Sequence, residues 1–139
     1  MAQLEPPSLL RAAVAASRRA VAPYSQFHVG AALLTRDGAV IAGANVESVS
    51  YGLTCCAERV ALFKALTEGH TDFTAIAIVA PCAKTAPCGA CRQLLAEYAP
   101  DARVFVADSR RPARFREFTV DQLLPEAFRS LRNKRRARK

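Results

Sequence analysis

TAIAIVA at residues 74–80, PCGACRQLLAEY at 87–98 and RVFVA at 103–107 read as strand, helix and strand. Ala75 to Val79 is a short continuous apolar run, as expected of a strand buried on both faces. Gly89 to Tyr98 reads as a helix that stops before Pro100. Two strands joined through a helix favour parallel pairing.

Upstream, Ala57 to Thr67 is a second helix, carrying Val60, Ala61, Phe63 and Leu66 and closing at Gly69. Phe27 to Thr35 and Val40 to Ala44 flank Asp37-Gly38, a hairpin signal that adds an antiparallel pair. Asn45 to Cys55 is polar and reads as a loop. Ser8 is placed to cap an alanine- and leucine-rich helix, Leu9 to Ala22, which Pro23 ends. Downstream, Phe115 to Phe118 is a short fifth strand. Thr119 with Gln122 has the spacing of a capping box for a short helix through Leu124, broken by Pro125. The predicted class is α/β, a mixed sheet with helices on both faces. No repeat or linker interrupts residues 1–128, which read as one domain.

Both helices after the hairpin begin at cysteines. Cys88 and Cys91 are spaced C-x-x-C in a first helical turn, so two thiolates share one face. Alone, that pair could be a redox dithiol or two small buried hydrophobes. Cys56, 32 residues before Cys88 and also at a helix start, makes a metal the better reading. Three cysteines leave one tetrahedral position open, the pattern of catalytic zinc. A structural zinc needs a fourth ligand, for which Cys82 is the competitor. Cys55 diverges from Cys56 as its chain neighbour, and His28 and His70 read as surface or packing residues.

Glu58 lies two positions after Cys56. A carboxylate there suits the helix dipole, but beside a metal-activated water it can also carry protons. The pair Cys56-Ala57-Glu58 and Pro87-Cys88-x-x-Cys91 is the all-cysteine form of the zinc deaminase pattern. Three thiolates on Zn²⁺ leave a net negative charge. Two helix N-termini offset part of it, and Arg59 is the side-chain candidate for hydrogen bonds to sulfur, its alternative from spacing alone being a solvated arginine.

Composition bounds the alternatives. The chain has 139 residues, 51% hydrophobic, enough for one core. No run of about 18 apolar residues occurs, and Met1 to Pro7 has no basic region followed by an apolar stretch, so no membrane span, no signal peptide and a cytoplasmic location are expected. The net charge of +8 sits almost wholly at 129–139, where seven basic and no acidic residues occur. That segment is expected to be a basic, flexible tail, and nucleic acid is not expected as a partner.

The whole set of motifs resembles the short homotetrameric cytidine deaminases. The matching stretches are Ala22-Pro23-Tyr24-Ser25-Gln26-Phe27, Val29-Gly30-Ala31-Ala32-Leu33, Asn45-Val46-Glu47, Cys56-Ala57-Glu58-Arg59, Pro87 to Gln93 and Leu123 to Phe128. The resemblance implies a three-layer α/β/α sandwich with a five-stranded mixed sheet, one zinc per chain, and hydrolysis of free cytidine or deoxycytidine to the uridine nucleoside and ammonia in pyrimidine salvage. It implies that zinc-activated water attacks C4 while Glu58 shuttles protons. Asn45 and Glu47 would bind the ribose 3′-hydroxyl, Phe27 would lie against the base, and Tyr51 would close the loop. The backbone at Ala57 would hold the base edge, and Phe128 would reach a neighbouring subunit's site in the tetramer. Read without that resemblance, Asn45 is a turn residue, Glu47 a loop charge, Tyr51 packing and Phe27 core. Ala86 departs from the serine often found before Pro-Cys in the family. Blasticidin S deaminases share the cysteine motifs, but Glu47 and the Tyr24 to Phe27 stretch favour cytidine.

Overall fold

A computed structural model describes residues 5–129. Its elements in chain order are α1 (Pro6–Ser17), β1 (Gly30–Thr35), β2 (Val40–Ala44), a single 3₁₀ turn (Tyr51–Leu53), α2 (Ala57–Thr67), β3 (Phe73–Ala80), α3 (Gly89–Tyr98), β4 (Arg103–Asp108), β5 (Arg116–Thr119) and α4 (Val120–Leu123). The strands form one sheet in the order β2-β1-β3-β4-β5. β3 and β4 run parallel across α3, whereas β1 pairs antiparallel with both β2 and β3, and β4 with β5. The expected mixed five-stranded sheet is therefore present.

Strand alternation sorts the core into two layers. Ala32, Leu34, Ala77, Val79 and Phe105 pack with Leu9, Leu10 and Ala13 of α1. The alternate residues Ala31, Leu33, Ile76, Ile78, Val104 and Val106 pack with Ala57, Ala61 and Leu62 of α2 and Leu95 of α3. Because β1 is covered on both faces, all six of its residues are buried. Two glycines bring the helices unusually close. A Cβ at Gly30 would lie 2.0 Å from Ala13 O, and one at Gly43 would lie 2.5 Å from Ala61 N. Backbone thus meets backbone where α1 crosses β1 and α2 crosses β2.

Several boundaries differ from the sequence expectation. α1 starts earlier, because Pro6 and Pro7 occupy the positions where a missing N–H costs nothing. It also ends at Ser17 rather than Ala22. Val21 instead pairs with the segment at Val46: its N–H donates to Asn45 O (2.9 Å), and its C=O accepts from Glu47 N (2.8 Å). The first strand begins at Gly30, not Phe27, since side-chain bonds replace the ladder over 27–29. The Thr119–Gln122 capping box forms as expected, and α4 closes one residue before Leu124. The tail expected over 129–139 lies, after Arg129, outside the described residues. Among the described residues no helix is long and apolar enough to cross a membrane.

Candidate active site

Cys56 is the N-cap of α2 and Cys88 the N-cap of α3. The sheet order sets these two helix starts beside each other at one end of the β-layer. The ligand atoms of Cys56, Cys88 and Cys91 all lie within 4.8 Å of one another, with Cys56 Sγ 3.8 Å and Cys91 Sγ 3.5 Å from Cys88 Sγ. Tetrahedral ligands at a Zn–S distance of about 2.3 Å stand about 3.8 Å apart. The donor set therefore fits zinc in both chemistry and spacing. Cys55, Cys82, His28 and His70 lie outside this group. Cys55 is turned away by its backbone pairing with Val46.

The electrostatics of the three thiols follow from their neighbours. Hydrogen bonding from Cys91, with Arg59 and Cys88 adding to it, pulls the Cys56 thiol down to about 5. Cys91 is pushed up, because it keeps the proton it donates to Cys56 and is buried. Arg59 Nη2 donates to Cys56 Sγ (3.4 Å) and to Thr54 O (3.3 Å), and that bond to Cys56, with the charge there, raises the arginine's own pKa. Arg59 Nε is buried with no hydrogen-bond partner among the described residues. A guanidinium with one buried, unpaired N–H is favoured next to concentrated negative charge, which a zinc-loaded three-thiolate centre would supply.

Glu58, in the first turn of α2, is only 5% exposed. Burial, reinforced by the charge on Cys56, pushes its carboxyl from 4.5 up to about 7. A carboxyl so placed can hold or release a proton near neutrality. Ala57 is wholly buried at the first position of α2, where a helix N–H has no intrahelical partner.

The polar loop expected at 45–55 pairs Val46 with Cys55, just before the helix start at Cys56, and packs on residues 24–29. Asn45 is buried, and its side chain accepts from Val29 N (2.9 Å) and donates to Phe27 O (2.9 Å). Glu47 accepts from Tyr24 N (3.0 Å), Ser25 N (3.1 Å) and the Ser25 hydroxyl. Phe27 is 41% exposed, so the core role that composition alone favours does not hold. Tyr51 is 76% exposed and packs its ring edge-on against Tyr24, with centroids 6.0 Å apart. Phe128 is also 76% exposed, and its C=O is held by Gln93 of α3 (2.9 Å). Arg92 braces the same helix, donating to Pro87 O and Leu123 O at 2.8 Å. Ser25, Gln93 and Arg92 were not singled out as site residues from sequence. Apart from Phe27 and Pro87, their partners lie 22 to 35 positions away, so the contacts themselves are not written in local sequence.

Three converging thiols with an open fourth direction and a buried acid beside them define a zinc-binding deaminase centre on this fold. The family profile described as "Cytidine and deoxycytidylate deaminase zinc-binding region" matches residues 5–107. A cytidine deaminase of Halalkalibacterium halodurans is 52% identical over 122 residues, covering 86% of this chain and 91% of its own. The crystal structure of cytidine deaminase from Burkholderia pseudomallei superposes with a TM-score of 0.86 at 46% identity, covering 90% of this chain and 100% of that one. A blasticidin-S deaminase of Bacillus cereus matches at 32% identity over 110 residues, covering 73% of this chain and 76% of its own. The chain belongs to the zinc-binding cytidine deaminase family.

Proposed function

We propose that this chain hydrolyses free cytidine and deoxycytidine to uridine and deoxyuridine with release of ammonia, as a pyrimidine salvage enzyme of the cytoplasm. The observation that carries the reading is the buried Glu58 beside the Cys56/Cys88/Cys91 cluster. When bound, zinc supplies Lewis acidity and brings the pKa of water toward neutrality. Glu58 takes up a proton as water adds to C4 and delivers it to N3, then takes the proton of the new C4 hydroxyl and passes it to the amine as C4 becomes a carbonyl and ammonia leaves. Its raised pKa suits both halves of that exchange. Arg59, against Cys56 Sγ, offsets the negative charge of the thiolates.

Recognition follows from the surrounding loop. Asn45 keeps a side-chain N–H beyond the one given to Phe27, and Glu47 is an acceptor, so the two suit a sugar 3′-hydroxyl that both accepts and donates. Phe27 offers a ring to the base, Tyr51 closes over the site, and the Ala57 N–H meets the base edge. Phe128, exposed within one chain, completes a neighbouring pocket in a homotetramer. Residues 1–128 form the catalytic unit.

The test is an ultraviolet assay of the purified, zinc-loaded protein with cytidine, deoxycytidine, blasticidin S and a cytosine-containing oligonucleotide. Turnover of the two nucleosides alone supports the reading. Preference for blasticidin S or the oligonucleotide overturns it.

A further inference from the structure

The residues at 24–27 form a tight turn whose geometry local sequence does not explain. Gln26 has a φ of 59°, in the left-handed region that non-glycine residues rarely occupy. Such a conformation persists only when its surroundings hold it. Gln26 N donates to Ala22 O (3.0 Å), and the Phe27 N–H donates to Ser25 Oγ (3.0 Å). The Ser25 hydroxyl in turn donates its own proton to Glu47 Oε2. One serine therefore ties the strained turn, the Phe27 backbone and the Glu47 carboxylate together.

A carboxylate offers about four acceptor directions, two per oxygen. Oε1 of Glu47 is filled by Tyr24 N and Ser25 N, while Oε2 receives only the Ser25 hydroxyl. The open acceptor of Glu47 is thus on the oxygen that Ser25 steers. Across the same loop, Phe27 O accepts from Asn45 Nδ2 (2.9 Å). Both polar groups of the Phe27 backbone are consequently held, one directly by Asn45 and one through Ser25 by Glu47.

We propose that Ser25 is a positioning residue for substrate, its hydroxyl aiming the free acceptor of Glu47 at the sugar. The proposal rests on the reading of Asn45 and Glu47 as the sugar-binding pair. Ser25 donates to Glu47 as the first of the interactions that hold this carboxyl below its ordinary range, so the acceptor is charged at neutral pH.

The experiment compares kcat/KM on cytidine and on 3′-deoxycytidine for the zinc-loaded wild type, Ser25→Ala, Ser25→Thr, Glu47→Gln and the Ser25→Ala/Glu47→Gln double variant. Loss of a hydrogen bond to a charged group predicts a decrease of about tenfold or more for Ser25→Ala on cytidine. On 3′-deoxycytidine, and in the Glu47→Gln background, the same change should cost about twofold or less. Ser25→Thr, which keeps the hydroxyl, should recover most of the activity. Equal losses on both nucleosides, or none, would overturn the proposal. A wild type that does not distinguish the two nucleosides would instead remove the sugar-clamp reading, and the proposal with it. If Ser25→Ala does not fold, Ser25→Cys carries the same comparison with a weaker donor.

Discussion

Replacing Glu58 by glutamine in the metal-free protein separates what the residue costs from what it does. Glu58 is 5% exposed, and its carboxyl sits at about 7 rather than 4.5. The folded state therefore binds that proton more tightly than the unfolded chain does. Its contribution to stability is fully present below about pH 4.5 and is lost as pH rises through about 7. A rise of that size corresponds to about 3 kcal/mol. Glutamine cannot ionise, so the Glu58→Gln protein should avoid the loss. Urea unfolding of chelated, reduced wild type and Glu58→Gln should give similar free energies near pH 4.5. By pH 8 the variant should be more stable by a few kcal/mol. Parallel pH dependences for the two proteins would refute the claim that burying this acid is what raises its pKa.

Other outcomes follow from the same geometry. Gly43→Ala should destabilise the fold by about 1–3 kcal/mol and depress activity, because the added Cβ meets Ala61 N at 2.5 Å and displaces the helix that carries Glu58. Gly52→Ala, whose Cβ meets nothing within 4 Å, should leave Tm unchanged in the same thermal scan. Zinc binding expels the thiol protons that the free cysteines hold, so apparent affinity in a chelator competition should fall at least about tenfold per pH unit below neutrality. A pH-independent affinity would contradict ligation by the three cysteines. Phe128→Ala should lower kcat/KM on cytidine while leaving zinc content unchanged, a result read by kinetics and metal analysis on one preparation.

The parts of this molecule legible in its sequence are those written locally. The α2 and α3 boundaries could be read from helix starts at cysteines and from a glycine or proline beyond the ends, and both match the structure. The sheet class follows from a hairpin signal plus one strand–helix–strand unit, and the metal cluster from spacing and shared helix starts. What could not be read depends on partners distant in the chain. The end of α1 is set by the bond from Val21 to Asn45, so helix propensity through Ala22 was overridden. The start of β1 is set by Asn45, whose side chain takes the backbone bonds that a strand would have used. Ser25 drew attention only as part of a family motif. Its contact with Glu47, 22 residues on, emerges only when the loop folds back.

The central claim is that a zinc held by three cysteines and a proton moved by Glu58 together deaminate cytidine. The most direct test measures zinc per chain and uridine formation in parallel for wild type and Glu58→Ala. The account predicts about one zinc per chain in both proteins, turnover of cytidine by the wild type, and none by the variant. Full activity in Glu58→Ala, or a fully zinc-loaded wild type inert toward cytidine, would contradict it.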